Sequence, residues 1–395
     1  MNLLSWVTLA LAALVIACAL GAYSLYELRF EPAHIVALCE HAEYPLVCFN
    51  DQIKSVLSHH GLAAAFDVLA AGYAADPAFA ASCHGNTHDL GEAAYEQFHR
   101  TGAIQLTPEV SYCGFGFYHG FMIALLAETH DLNEARAFCA YAGPQVPVPA
   151  GYSEGACYHG IGHGVTDGSD PTVWGNEPAM AEPGLALCNQ VAQTDEWKKR
   201  CFSGVFNSLA ELSFQMQYKI SLGNNPFAWC ANDAYTTLEK EACFEEMNYP
   251  ASRIARNDLL QALALTSTIT DTNYRSIAIR GIADFYVKVN PNGPAHLSAS
   301  DMLSCGTLGP TFEDDCVNGL VDGIWEFGPP GTQYQEATAT CGADTLPADI
   351  ATACFDREQS SYWNLYTPNI AAVMCTGIPE RFKIAPCLSS TSPQT

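Results

Sequence analysis

Five of the twelve histidines in this 395-residue chain stand at spacings that suit metal ligation. Cys83-His84-Gly85-Asn86-Thr87-His88 and Cys157-Tyr158-His159-Gly160-Ile161-Gly162-His163 each carry a His-x₃-His pair. Between them, Tyr118-His119-Gly120 echoes Tyr158-His159-Gly160 and supplies the fifth imidazole. Residues four apart share one face of a helix, so each pair can offer two nitrogens to one ion. Neutral imidazole suits zinc, copper, iron or nickel. Glu92 continues the His84/His88 register by one further step, which makes it a candidate ligand or catalytic base in an open site of histidines plus a carboxylate. Three other readings compete. The imidazoles can form a hydrogen-bonded seam between helices, they can act directly as acids and bases, or they can hold haem without a covalent bond. No C-x-x-C-H is present, so covalently attached haem is not expected. His34, His41, His59, His60, His99, His130 and His296 follow no such register and read as surface or packing residues.

The histidines sit in a recurring unit. Cys157-Tyr158-His159-Gly160-Ile161, Cys201-Phe202-Ser203-Gly204-Val205 and Cys316-Val317-Asn318-Gly319-Leu320 open alike, with looser copies at Cys48, Cys243 and Cys354. Openings at 113, 157, 201 and 243 are spaced by 44, 44 and 42 residues. The next interval, 73 residues, hides Ala278-Ile279-Arg280-Gly281-Ile282, which divides it into 35 and 38. Such a period marks helical repeats. Apolar residues in 204–216, 259–265 and 278–289 fall at helical spacing, and no strand alternation competes. The expected fold is all-α: α-solenoid-like helical hairpins of about 35–45 residues, stapled by local disulfides, after an N-terminal transmembrane helix. The expected segments are 1–28 (anchor), 29–250 (repeats with the histidine cluster), 251–387 (C-terminal repeats) and 388–395 (disordered tail).

Polar residues recur two and six places after five of the openings: His159/His163, Ser203/Asn207, Arg280/Asp284, Asn318/Asp322 and Asp356/Ser360. Stacked units would align them as a stripe on the concave face. The alternative for the later copies is helix capping, common for Ser, Asn and Asp. The Pro-rich stretch 143–155 and the stretch 167–183, with Trp174, Glu177 and Glu182, read as loops beside the site. Phe115, Phe117, Tyr118 and Tyr158 shape either a pocket or the core.

The compartment follows from the cysteines. Of 17, only Cys18 lies in the apolar N-terminus. Proximity pairs Cys39 with Cys48, Cys139 with Cys157, Cys188 with Cys201, Cys230 with Cys243, Cys305 with Cys316, Cys341 with Cys354, and Cys375 with Cys387. Cys83 and Cys113 are left over, separated by a longer interval. Eight disulfides require an oxidising compartment, periplasmic or at the cell surface. Residues 3–26 carry no charge and are long enough to span a bilayer. A cleaved signal peptide ending within 17–22, or lipidation of Cys18, would also fit. The formal net charge of −25, from 17 basic and 42 acidic residues, argues against a nucleic-acid partner.

These features point to a membrane-anchored extracytoplasmic helical-repeat protein with a zinc, iron or copper site, and so to a candidate metal-dependent enzyme. The alternatives are a non-catalytic scaffold for a peptide, glycan or partner protein, and a carrier of haem or an apolar ligand. Thiol titration of the unreduced protein should find none of the sixteen paired cysteines free. Peptide mapping should recover Cys188–Cys201 and Cys230–Cys243. Two or more free thiols would remove the argument for an oxidising compartment. Replacing Cys188 and Cys201 together by Ser should lower stability by about 2–5 kcal/mol.

Overall fold

The computed structural model describes residues 27–146, 152–166, 168–291, 293, 296–365 and 368–389. The expected membrane segment and Cys18 lie outside the described residues. Among those residues there are helices and no strand, and no helix is long and apolar enough to cross a membrane. The helices are α1 (Pro32–Cys39), α2 (Pro45–His60), α3 (Leu62–Ala75), α4 (Pro77–Ala81), α5 (Cys83–Thr101), α6 (Gly116–Thr129), α7 (Leu132–Ala142) and α8 (Tyr152–Gly164). They continue as α9 (Glu177–Val191), α10 (Asp195–Leu212), α11 (Thr237–Glu246), α12 (Asn248–Ile254), α13 (Leu259–Leu265) and α14 (Thr272–Val289). The last are α15 (Ala299–Ser304), α16 (Glu313–Phe327), α17 (Gln333–Cys341), α18 (Ala348–Leu365), α19 (Pro368–Met374) and α20 (Ala385–Ser389). The stretch 167–183, expected as loop, is helical from Glu177 onward: Asn176 caps α9, and Pro183 is accommodated inside it.

Eight disulfides follow the sequential pairing, and Cys83 joins Cys113. Most tie the end of one helix or 3-10 turn to an early turn of the next helix. Examples are Cys139 of α7 with Cys157 of α8, and Cys188 of α9 with Cys201 of α10. The last bridge corrects the expected start of the tail. Cys387 lies inside α20 and is bonded to Cys375, which follows α19, so Leu388 and Ser389 belong to a stapled helix. Residues 390–395, the rest of the expected tail, lie outside the described residues. All but one of the sixteen cysteines are buried, Cys48 being half-buried.

One series of helices, α5, α6, α8, α10, α11, α14 and α16, packs neighbour on neighbour. Glycine sets the approach. A Cβ on Gly120 would lie 2.0 Å from the His88 carbonyl oxygen, and one on Gly204 would lie 2.0 Å from that of His159. The same holds for Gly160 against Tyr118 (2.5 Å), Gly281 against Glu245 (2.5 Å), Gly319 against Arg280 (2.3 Å) and Gly323 against Asp284 (2.4 Å). Real side chains do not tolerate such distances. These backbones therefore meet more closely than the usual interaxial separation of about 8–10 Å.

Close approach on one side only curves the series until its ends meet. Tyr73 Oη of α3 donates to the Phe327 carbonyl at the end of α16, 2.8 Å away. The Phe327 ring also lies against Gly114, where a Cβ would come within 2.8 Å of it. All seven helices thus line one cavity of about 940 Å³, bounded between α16 and the α3–α5 end by these contacts.

Half of the stripe faces this cavity. His159, Asn207, Arg280, Asp284 and Asp322 line it. Capping does not describe these residues, because the caps lie further upstream. Thr194 accepts from the Trp197 N–H before α10, and Asp271 accepts from Asn273 and Tyr274 before α14. The stripe ends at α18, where Ser360 merely donates to the Asp356 carbonyl and Arg357 reaches inward instead.

Gly204→Ala should therefore lower stability by about 1–3 kcal/mol in chemical denaturation, the cost of overpacking. Gly85→Ala, where nothing lies within 4 Å of the added methyl, should raise stability by roughly 0.5–1 kcal/mol through helix propensity alone. Equal effects at the two sites would contradict the close contact.

Candidate metal centre

Three adjacent helices bring the five histidines together. His84 and His88 lie in the first two turns of α5, His119 in the first turn of α6, and His159 and His163 in the last turns of α8. Gly116 and Gly120 flank His119 and rest on the carbonyls of His84 and His88. Because those backbones touch, the rings do as well. Centroids are 5.1 Å apart for His84–His119, 5.0 Å for His88–His119, 4.8 Å for His119–His159 and 4.3 Å for His119–His163.

Two triads result, His84/His88/His119 and His119/His159/His163, each with its ligand atoms within 4.8 Å of one another. His119 belongs to both. In the first, His88 Nε2 lies 3.1 Å from His84 Nε2 and 3.1 Å from His119 Nδ1. His84 Nδ1 stands 2.8 Å from the Cys113 carbonyl oxygen, which can only accept, so Nδ1 carries the proton and Nε2 a lone pair. Such a carbonyl contact would orient His84 from outside the shell of an ion held at its Nε2. A single proton on His88 Nε2 cannot satisfy both neighbours well. A tetrahedral ion with bonds of about 2.0–2.1 Å would separate its nitrogens by about 3.3 Å, close to what is seen. In the second triad, His163 Nδ1 pairs with Ser208 Oγ at 2.9 Å, while its Nε2 is buried with no hydrogen-bond partner among the described residues.

Burial keeps all five rings neutral, the ligating form. It pushes His88 down to about 4 and His159 down to about 3, and it lowers His84, His119 and His163 well below the usual histidine value. The charge of Lys288 acts in the same direction on His84, His88 and His163.

Glu92 does not join them. It is exposed, and its charged neighbours are Asp89, Lys54 and Glu96. Eight residues of helix turn through about 800°, leaving Glu92 some 80° off the His84 direction, toward the α2 side. No carboxylate enters either triad. Phe115 lines the cavity, whereas Phe117 and Tyr118 are buried core and Tyr158 stacks on Trp197. Trp174 donates to the Gly168 carbonyl and does not line the cavity; nor do Glu177 and Glu182.

Charged groups that sequence reasoning passed over also line the cavity. Glu211, Lys288 and Glu326 each lie four residues beyond a stripe position, so extending the stripe by one turn would have found them. Asp322 binds both Arg280 (Nε, 2.8 Å) and Arg357 (Nε, 2.6 Å). Glu246 accepts from Ser203 Oγ and, at 2.6 Å, from Asn207 Nδ2. Burial, reinforced by Glu245, pushes Glu246 up to about 8. Burial and Asp322 push Glu326 up to about 7. Asp284 is also raised, chiefly by burial and then by Glu326. Burial lowers Lys288 against the pull of Glu211, Glu326 and Asp284.

The raised Glu246 carries a pH signature. With its folded value about 8 against 4.5 unfolded, its contribution is fully present below about 4.5 and is lost as pH rises toward 8. Glu246→Gln should therefore flatten the decline in melting temperature between pH 5 and 9; an unchanged slope would refute a buried, proton-holding Glu246. No family model matches this chain, and neither the curated proteins nor the solved structures searched contain a match.

Proposed function

We propose that this is an extracytoplasmic metalloprotein, anchored through residues 3–26 and built of helical-hairpin repeats, whose five histidines hold one or two transition ions at the cavity wall. The observation that carries the reading is the placing of His88 Nε2 at 3.1 Å from both His84 Nε2 and His119 Nδ1, with the His84 lone pair fixed by the Cys113 carbonyl. Zinc and copper fit an all-imidazole set best, since hard cations prefer oxygen and the iron pattern of two histidines plus a carboxylate lacks its carboxylate. Haem fits less well, because a macrocycle would have to part rings already in contact. His84, His119 and His159 also line the cavity, so an ion there is open to a ligand. An ion with an exchangeable position acts as a Lewis acid on a bound carbonyl or water, which supports the reading as a metal-dependent enzyme.

A second reading is favoured by the polar wall itself. Ser203, Asn207 and Glu246 hold one another, as in a binding scaffold for a peptide, glycan or partner protein that needs no ion.

Elemental analysis separates the two. The purified protein should hold at least one equivalent of zinc or copper. His88→Ala or His163→Ala should abolish uptake with helix content intact, while exposed His99→Ala should leave uptake unchanged. Because burial holds His88 near 4, uptake should persist at pH 6 and fail by about pH 4. Metal-free protein that cannot be loaded would leave the scaffold reading.

A further inference from the structure

One continuous track of side chains runs along the cavity wall and ends beside His84. Arg253 is exposed and stands over the Phe214 ring, its guanidinium carbon 5.0 Å from the centroid. Phe214 packs on Tyr249 at 4.6 Å, and Tyr249 on Phe285 at 5.3 Å. Lys288 Nζ lies 5.4 Å from the Phe285 centroid and 5.5 Å from that of Phe327. The Phe327 ring is 6.2 Å from the ring of His84. All of these residues line the cavity. Aromatic faces thus run from an exposed cation, past an inner one, to the candidate metal centre.

The two cations differ from the others on the wall. Arg280 and Arg357 share Asp322, and Lys199 pairs with Glu241 and Glu245. Neither Arg253 nor Lys288 has a carboxylate at ion-pair distance among the described residues. The distribution of charge over the whole molecule points the same way. Six of the 17 basic residues line this cavity against six of the 42 acidic ones, so the formal excess of −25 falls on the rest of the protein. Burial further favours the neutral acid at Glu246, Glu326 and Asp284. An anion repelled by the rest of the surface meets here two cations that no carboxylate pairs at close range, although Glu211, Glu326 and Asp284 act on Lys288 from further off.

We propose that the cavity binds a small organic oxyanion with a flat carbon face, its anionic group on Lys288 and its body against Tyr249 and Phe285. A volume of about 940 Å³ suits a ligand of that size. Aromatic rings recognise a flat face, and a charged hydrogen bond to Lys288 supplies orientation. The inference deepens the metal reading by naming the ligand class for the same site, and only the presentation of that ligand to an ion depends on the metal. An aromatic acid and a sugar acid both offer this chemistry.

Calorimetric titration of the full chain with benzoate, glucuronate, their neutral counterparts benzyl alcohol and glucose, and inorganic phosphate tests the inference. One of the two carboxylates should bind, and which one binds identifies the source; its neutral counterpart should bind at least tenfold more weakly. Lys288→Met should weaken the carboxylate by about 10–100-fold, the scale of a charged hydrogen bond. Lys288→Arg should retain most of the affinity, and Phe285→Ala should also weaken binding. Failure of both carboxylates, affinity unchanged in Lys288→Met, or binding of inorganic phosphate alone would overturn the proposal. Metal content measured on the same sample keeps the two readings apart. Carboxylate binding to protein that cannot be metallated would leave the oxyanion site standing and remove the metal. Metallated protein without carboxylate binding would do the reverse.

Discussion

The architecture depends on glycine at the contacts between inner helices. At Gly120, Gly160, Gly204, Gly281, Gly319 and Gly323 the neighbouring carbonyl occupies the space a Cβ would need. Weak Cα–H···O contacts, each about 0.5–1 kcal/mol, become available at this range, but their main effect is geometric. They let seven helices close a ring tight enough that side chains from neighbouring helices meet inside it. The same contacts bring three helices' imidazoles within touching distance. Larger residues at these positions would separate the helices, and with them the two triads.

The interior so formed combines opposed electrostatic demands. Buried imidazoles are held neutral by desolvation, and burial favours the neutral acid at Glu246 and Glu326 of the same cavity. Both classes avoid charge for the same physical reason, yet their proton affinities shift in opposite directions. The imidazoles release protons more readily than free histidine, and the carboxylates hold them more firmly than free acids. The cavity therefore holds neutral imidazoles and neutral acids beside full ion pairs such as Asp322 with Arg280 and Arg357.

Much of this was legible in the residues. The cysteine spacing gave the disulfide pairs, and the register of Cys-x-x-Gly openings led to the polar stripe and the histidines. What the register could not carry was direction beyond two turns. On α5, Glu92 drifts out of line and faces α2, whereas on α10, α14 and α16 the equivalent extension reaches Glu211, Lys288 and Glu326 inside the cavity. The glycine in each opening was visible as pattern, but its meaning was not. Only the carbonyl facing it shows that glycine sets the approach of the helices, and with it the tightness of the concave face. The capping alternative failed because true caps such as Thr194 lie well upstream of the stripe, something invisible until the helix starts are known.

The staples and the ring differ in covalent topology. Among the described residues no disulfide joins positions more than 30 apart in sequence, whereas Tyr73 and Phe327, which meet where the ring closes, are 254 apart. Most arcs are therefore laced covalently to themselves, α12 to α14 being the stretch without a staple, and the join between first and last arcs is not laced at all. In mechanical terms the molecule is a split washer, stiff along its circumference and free to part at one cut. Stress applied anywhere on the rim is carried to that cut. Reduction would loosen arcs one at a time without opening the seam, and parting the seam would breach the central chamber with every sulfur bond intact.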